Sequence, residues 1–146
     1  MYTGEFSHSI DAKGRLSVPS RFRTDEPGEK FYIVKSFDGC LFGYDSTQWS
    51  KILEKVMALP ITTNPQAAAF VRFMFTGTAE CEPDKLGRIN LPEPLRKFAG
   101  LEDSASVVGV GTRFEIWSPS RWQEYNDTHM TPESIIGQIG SIGLEF

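Results

Sequence analysis

Apolar and polar residues alternate along "RLSV" (residues 15–18) and "RINL" (residues 88–91), the period-two pattern of a strand with one face in a core. Pro19 and Pro92 follow, where they stop the ladder and suit the first turn of a short helix. Two further pairs of strands are predicted, over "FYIVKS" and "CLFGY" and over "ASVVGV" and "RFEIW", with "DG" and "GT" as the tight turns between them. Helical spacing takes over after each pair. Trp49, Ile52, Leu53, Val56 and Met57 recur along one face of a helix that Asp45 and Gln48 open as a capping box and Pro60 ends. Ser118 and Pro119 open its counterpart, in which Trp122 and Tyr125 begin the same stripe. Between the two sets, Asn64 and Pro65 cap a connecting helix with Ala68, Val71 and Phe75 on one face. The final "TPESIIGQIGSIGLEF" has isoleucines at helical intervals, but each of its three glycines costs about 1 kcal/mol of helix. It reads as a tail that orders only against a neighbour.

The same order of elements occurs twice because the sequence does. Displaced by 73 positions, with no gap, Asp11, Gly14, Arg15 and Pro19 fall on Asp84, Gly87, Arg88 and Pro92. Arg23 falls on Arg96, Val34 on Val107, Tyr44 on Trp117 and Trp49 on Trp122, so the chain is a tandem duplication. "DAKG" and "DKLG" each place an acid first and a glycine fourth, the chemistry of a type I turn whose last residue is left-handed and bulges into the next strand. They are read as hairpin loops. The chain divides into a first half (residues 1–60), a connecting helix (61–75), a second half (76–130) and the tail (131–146). Neither half has enough chain to bury a core or cover its own strand edges, so the two are expected to form one globular unit.

Composition adds little to this picture, but charge changes it. An apolar fraction of 40% with 12% aromatics is that of a globular chain, and no run approaches a membrane span or a secretory signal, so a cytoplasmic location is expected. The net charge of −4 by itself argues against indiscriminate attraction to a polyanion. Its distribution is uneven: residues 11–23 carry +3 and residues 84–97 carry +2, which leaves −9 for the remainder. A basic face on an acidic body is the arrangement expected of a protein that meets nucleic acid in one orientation. Catalysis finds no support. His8 and His129 are the only histidines and are not in a metal-ligand spacing with Cys40 and Cys81. Those two cysteines do not occupy matching places in the repeat and are read as reduced, semi-buried thiols. "GVGTRF" lacks the helix that a phosphate loop needs, and Asp11 and Asp84 each stand beside a cation that keeps them ionised. No enzyme activity, cofactor or metal is expected.

The pattern Asp-x-x-Gly-Arg-apolar-x-apolar-Pro resembles the AbrB-like swapped-hairpin DNA-binding proteins (the SpoVT-AbrB type). Its duplication, with "CLFGYDSTQW" and "FEIWSPSRW" behind the two copies, resembles the MraZ family over nearly the whole chain. The resemblance implies an α+β fold: a swapped-hairpin, double-psi-like β-barrel built from two tandem pseudo-symmetric halves and flanked by short helices. It also implies a transcriptional regulator, a repressor, that binds double-stranded promoter DNA at direct-repeat boxes upstream of its own operon in the bacterial division and cell-wall cluster. Association with the nucleoid and a homo-oligomeric ring are implied with it.

On that reading the DNA-binding residues are Lys13, Arg15, Arg21 and Arg23 in the first half and Lys85, Arg88 and Arg96 in the second. Asp11, Gly14, Asp84 and Gly87 hold the motif's shape. Arg15 and Arg88 have two compatible roles, a guanidinium fork for guanine edges or phosphates and an internal ion pair with Asp11 or Asp84. Lys13 is matched by Leu86 and Lys85 by Ala12, so the two loops are chemically unequal. The competing reading is a protein-binding module related to antitoxins, docking through residues such as Ile135, Ile136 and Ile139.

Overall fold

Each half of the chain lends its first strand to the other. In the computed structural model, which describes residues 1–145, the strands are β1 (Glu5–Ser9), β2 (Arg15–Ser17), β3 (Phe31–Lys35), β4 (Leu41–Asp45), β5 (Ala79–Cys81), β6 (Arg88–Asn90), β7 (Ser104–Gly109) and β8 (Phe114–Trp117). Six of them form one antiparallel sheet in the order β1-β7-β8-β4-β3-β5. A shift of 73 positions carries β1, β3 and β4 onto β5, β7 and β8, so the order reads the same from either edge. The pseudo-two-fold axis runs between β4 and β8. Because β1 pairs with β7 and β5 with β3, neither half closes its sheet alone.

The remaining pair, β2 and β6, forms a two-stranded antiparallel ribbon in the register Arg15↔Asn90, Leu16↔Ile89, Ser17↔Arg88. Reciprocal backbone bonds extend it: the Val18 N–H donates to the Gly87 carbonyl and the Leu91 N–H to the Gly14 carbonyl, both at 2.9 Å. The loops at residues 11–14 and 84–87 are the expected bulged type I turns, with Gly14 at φ +83° and Gly87 at φ +77°. The strand that leaves each loop, however, pairs with its opposite number, while the Asp11 N–H bonds back to the Arg15 carbonyl and the Asp84 N–H to the Arg88 carbonyl within each half. A closed barrel is not found among the described residues. The ribbon strands are three residues long, bulged at one end and stopped by Pro19 or Pro92 at the other, so their ladder cannot run on into the large sheet.

The core lies between ribbon and sheet. Leu16 and Ile89 face each other across the ribbon with at most 1% exposure, and Val18, Leu91, Phe22, Phe31, Ile33 and Phe114 complete the cluster around them. Phe114 stacks on Phe22 at 5.7 Å and meets the Phe31 ring edge-on at 5.5 Å, joining residues of both halves.

Five helices cover the rest: α1 (Ser46–Met57), α2 (Pro65–Thr76), α3 (Glu93–Ala99), α4 (Pro119–His129) and α5 (Pro132–Ile139). The Asp45, Asn64 and Ser118 side chains cap α1, α2 and α4 as their sequences predict. Trp49 of α1 stacks on Tyr32, and Trp122 of α4 packs on Trp117. Residues 132–142 depart from the expected tail. Thr131 Oγ1 accepts the Ser134 N–H and Pro132 opens the first turn, so the cap offsets the one glycine inside α5, and a single 3-10 turn (Gly140–Ile142) follows. Phe146, the last residue of that tail, lies outside the described residues.

Candidate nucleic-acid interface

The ribbon turns one face inward and one outward. Alternation buries Leu16, Val18, Ile89 and Leu91, so Arg15, Ser17, Arg88 and Asn90 occupy the solvent side together. The register sets Arg15 beside Asn90 and Ser17 beside Arg88, and the two arginines stand diagonally across a surface two strands wide. Ser17 and Asn90 were not singled out in the sequence, although the alternation that buries their neighbours is visible there.

Each loop orients its arginine in the same way. Asp11 Oδ1 accepts the Lys13 and Arg15 backbone N–H groups at 2.9 Å, and its Oδ2 accepts Arg15 Nε at 2.6 Å. In the second loop Asp84 Oδ1 accepts the Leu86 and Arg88 N–H groups at 2.9 Å, and Oδ2 accepts Arg88 Nε at 2.9 Å. One carboxylate therefore closes the turn and fixes the guanidinium through its Nε. Arg15 and Arg88 remain 34% and 28% exposed. The loops are neighbours as well as copies, since Arg88 Nη1 lies 3.9 Å from Asp11 Oδ2. Each arginine is thus paired internally, as one of its two sequence readings expected, and each remains partly exposed.

The carboxyl of Asp11 sits below the usual carboxylate range, first because it accepts the Arg15 N–H and then through the Arg15 side chain and the Lys13 N–H. Asp84 is lowered in the same sense, first by the Arg88 N–H and then by the Leu86 N–H and the Arg88 side chain. Because the folded-state value lies under the ordinary one of about 3.9, the locking they provide is fully present above that pH. It is lost only as pH falls through the lowered values. Carbon-13 NMR of the side-chain carboxyls is expected to show both acids titrating below ordinary aspartate; midpoints at the ordinary value would remove this account of the loops.

The other cations divide into two groups. Lys13 and Lys85 are exposed at the loops and make no ion pair among the described residues. Arg21 is exposed beside Gly4, at the head of β1. Arg23 and Arg96 are drawn inward. Arg23 Nε donates to the Val18 carbonyl at 3.0 Å, its Nη1 pairs with Asp25 at 2.6 Å, and its guanidinium lies over Gly87 of the other half. Arg96 mirrors this: Nε donates to the Leu91 carbonyl at 3.0 Å, and the group covers Gly14. Each of these arginines clamps the opposite loop, a function that charge counting did not reveal.

Comparison with known proteins bears on what this surface serves. The family model described as "MraZ protein, putative antitoxin-like" matches the chain twice, over residues 1–73 and 74–135. The chain belongs to the MraZ family. Among its relatives, one from Alkaliphilus metalliredigens named transcriptional regulator MraZ is 48% identical over 145 residues, 99% of this chain and all of that one. A second so named, from Acetivibrio thermocellus, is 46% identical over the same span, and a third, from Carboxydothermus hydrogenoformans, is 53% identical over 125 residues, 86% of each chain. The two matches of the MraZ model meet within α2, in line with a duplication that repeats with a 73-residue shift. MraZ is a family of transcriptional regulators and not of enzymes. No helix among the described residues is long and apolar enough to cross a membrane, and no group of three or more metal-ligating side chains is gathered among them.

Proposed function

We propose that this chain is a sequence-specific DNA-binding regulator of transcription, and that the outward face of the β2–β6 ribbon, with its two aspartate-locked arginines, is the surface that meets DNA. The observation that carries this reading is the pair of neighbouring loops presenting Arg15 and Arg88 from one ribbon. A two-stranded ribbon fits the major groove of B-form DNA, and a guanidinium held through its Nε matches the O6 and N7 acceptors of guanine. Lys13, Lys85 and Arg21 add phosphate contacts around it, and Arg23 and Arg96 keep the loops in place while contributing positive charge beside them. The acidic remainder of the molecule disfavours other approaches.

The reading extends to what the family resemblance implies: repression from direct-repeat boxes upstream of the chain's own operon, within the cytoplasm and at the nucleoid. A ring of copies would present several ribbons to successive boxes, so that modest individual contacts sum to firm binding. Exposed apolar side chains away from the ribbon, among them Phe37, Met57, Ile136 and Ile142, supply surface for contacts between copies.

Salt titration tests the proposal. Binding to a duplex from the region upstream of the chain's own gene should weaken linearly in log–log form, with a slope of roughly 0.9 per phosphate neutralised. Arg15→Ala should weaken binding and reduce that slope by about 1. The antitoxin-like alternative, in which protein docking is the principal activity, requires that neither effect be seen.

A further inference from the structure

The two copies of the ribbon motif differ at a few positions, and those positions share one surface. Lys13 and Leu86 occupy the same place in the two turns, each with its N–H held at 2.9 Å by its own aspartate. Ser17 and Asn90 occupy the same place on the outward face, opposite Arg88 and Arg15 respectively. Leu86 is 69% exposed at the tip of a charged loop, where a leucine contributes little to folding. The surroundings of the loops differ too. Beside the second loop lies a hollow of about 380 Å³ whose lining includes the acids Asp25, Glu26, Glu29 and Glu82 and the cations Arg23 and Lys85. Arginines cover the two loops alike, Arg23 over Gly87 of the second and Arg96 over Gly14 of the first.

These differences sort by chemistry. An ammonium attracts phosphate without regard to sequence, and each loop carries one, Lys13 in the first and Lys85 in the second. What the second copy offers besides its lysine is an isobutyl group at position 86 and a carboxamide at position 90. An asparagine carboxamide pairs with adenine N6 and N7 in the major groove, and an aliphatic side chain covers the 5-methyl group of thymine. Resting on the DNA-binding reading above, we propose that the second copy reads sequence, Asn90 taking an adenine edge and Leu86 a thymine methyl, while Lys13 anchors the first copy to the backbone.

The test uses the full-length chain and duplexes that it enriches from a randomised library. Substituting deoxyuridine for thymine removes the methyl group, and substituting 7-deazaadenine for adenine removes N7. The wild-type chain should lose about fourfold in affinity per covered methyl, and Leu86→Ala should bind the thymine and deoxyuridine duplexes alike. Asn90→Ala should lose roughly 5- to 150-fold on the natural duplex and nothing further on the 7-deazaadenine one. Lys13→Ala should weaken all duplexes by a common factor and lower the salt slope. Both readers are exposed, so their alanine variants should keep the wild-type melting curve. The proposal is overturned if the wild-type chain ignores both base analogues, or if Leu86→Ala responds to deoxyuridine as the wild type does. A change in sedimentation of free Leu86→Ala with an unaltered deoxyuridine response would make Leu86 a contact between copies, and would overturn it also. Enrichment of no sequence at all would instead remove the underlying DNA reading, and the proposal with it.

Discussion

Replacing Arg15 and Arg88 together by alanine is expected to abolish specific DNA binding while leaving the fold in place. Each guanidinium is oriented by its aspartate before any ligand arrives, so little further ordering is needed when it meets a base or phosphate. Good bidentate contacts are worth about 1 to 3 kcal/mol each, so losing two should weaken specific binding at least about thirtyfold. Stability should change little, because both side chains lie on the outward face and the core residues Leu16 and Ile89 are untouched. Gel-shift titration with a parallel thermal melt separates the two quantities. Retained affinity in a folded double variant would show that the DNA surface lies elsewhere.

Gly14→Ala should be the most damaging single change in the motif, and more damaging than Gly87→Ala. Both glycines have positive φ, where an L-residue costs about 1 to 2 kcal/mol. They differ in what a Cβ would strike. At Gly14 it would lie 2.9 Å from the Leu91 carbonyl oxygen, a backbone atom already bound by Arg96 Nε in the strand that bonds back to Gly14. At Gly87 the three nearest atoms all belong to the Arg23 guanidinium, the end of a flexible side chain that can swing aside. Adding about 1 to 3 kcal/mol for overpacking against fixed backbone, Gly14→Ala should lose about 2 to 5 kcal/mol in urea unfolding, against about 1 to 2 kcal/mol for Gly87→Ala. Equal losses would mean that the crossing of the halves at this point is looser than its geometry.

The order of elements was legible because turn, cap and strand chemistry are local. "DAKG" and "DKLG" specify the same bulged turn wherever the following strand goes, and Asn64–Pro65 and Ser118–Pro119 cap helices without reference to anything distant. The partner of β2 was not legible in this way. Its three residues carry an inward and an outward face, but nothing in "RLS" states that the inward Leu16 meets Ile89, 73 positions on; only the duplication makes the pairing natural. Short strands stopped by proline also hid the division into a six-stranded sheet and a two-stranded ribbon, since a list of strands does not say where a ladder ends. α5 departs from the expected tail because the Thr131–Pro132 cap, the same local signal that opens the other helices, outweighs its one glycine.

The candidate site was legible by residue type and less so by role. Arg15 and Arg23 look alike to a charge count, yet one is held by Asp11 and remains partly exposed, and the other binds the Val18 carbonyl across a glycine of the opposite half. What separates them is the distance from a turn acid to a guanidinium four residues later, which the Asp-x-x-x-Arg spacing encodes and Arg23 lacks. Asn90 and Ser17 are polar residues in an apolar alternation, which says that they face outward but not that they share that face with two arginines.

On the proposed DNA-binding reading, the duplex is met on one ribbon face to which both halves contribute. Backbone amide NMR of the chain titrated with an enriched duplex tests it most directly. Shifts concentrated at residues 11–17 and 84–90, with the helices α1, α2, α4 and α5 unperturbed, are the predicted result. Shifts centred on the helices, with both loops silent, would contradict it.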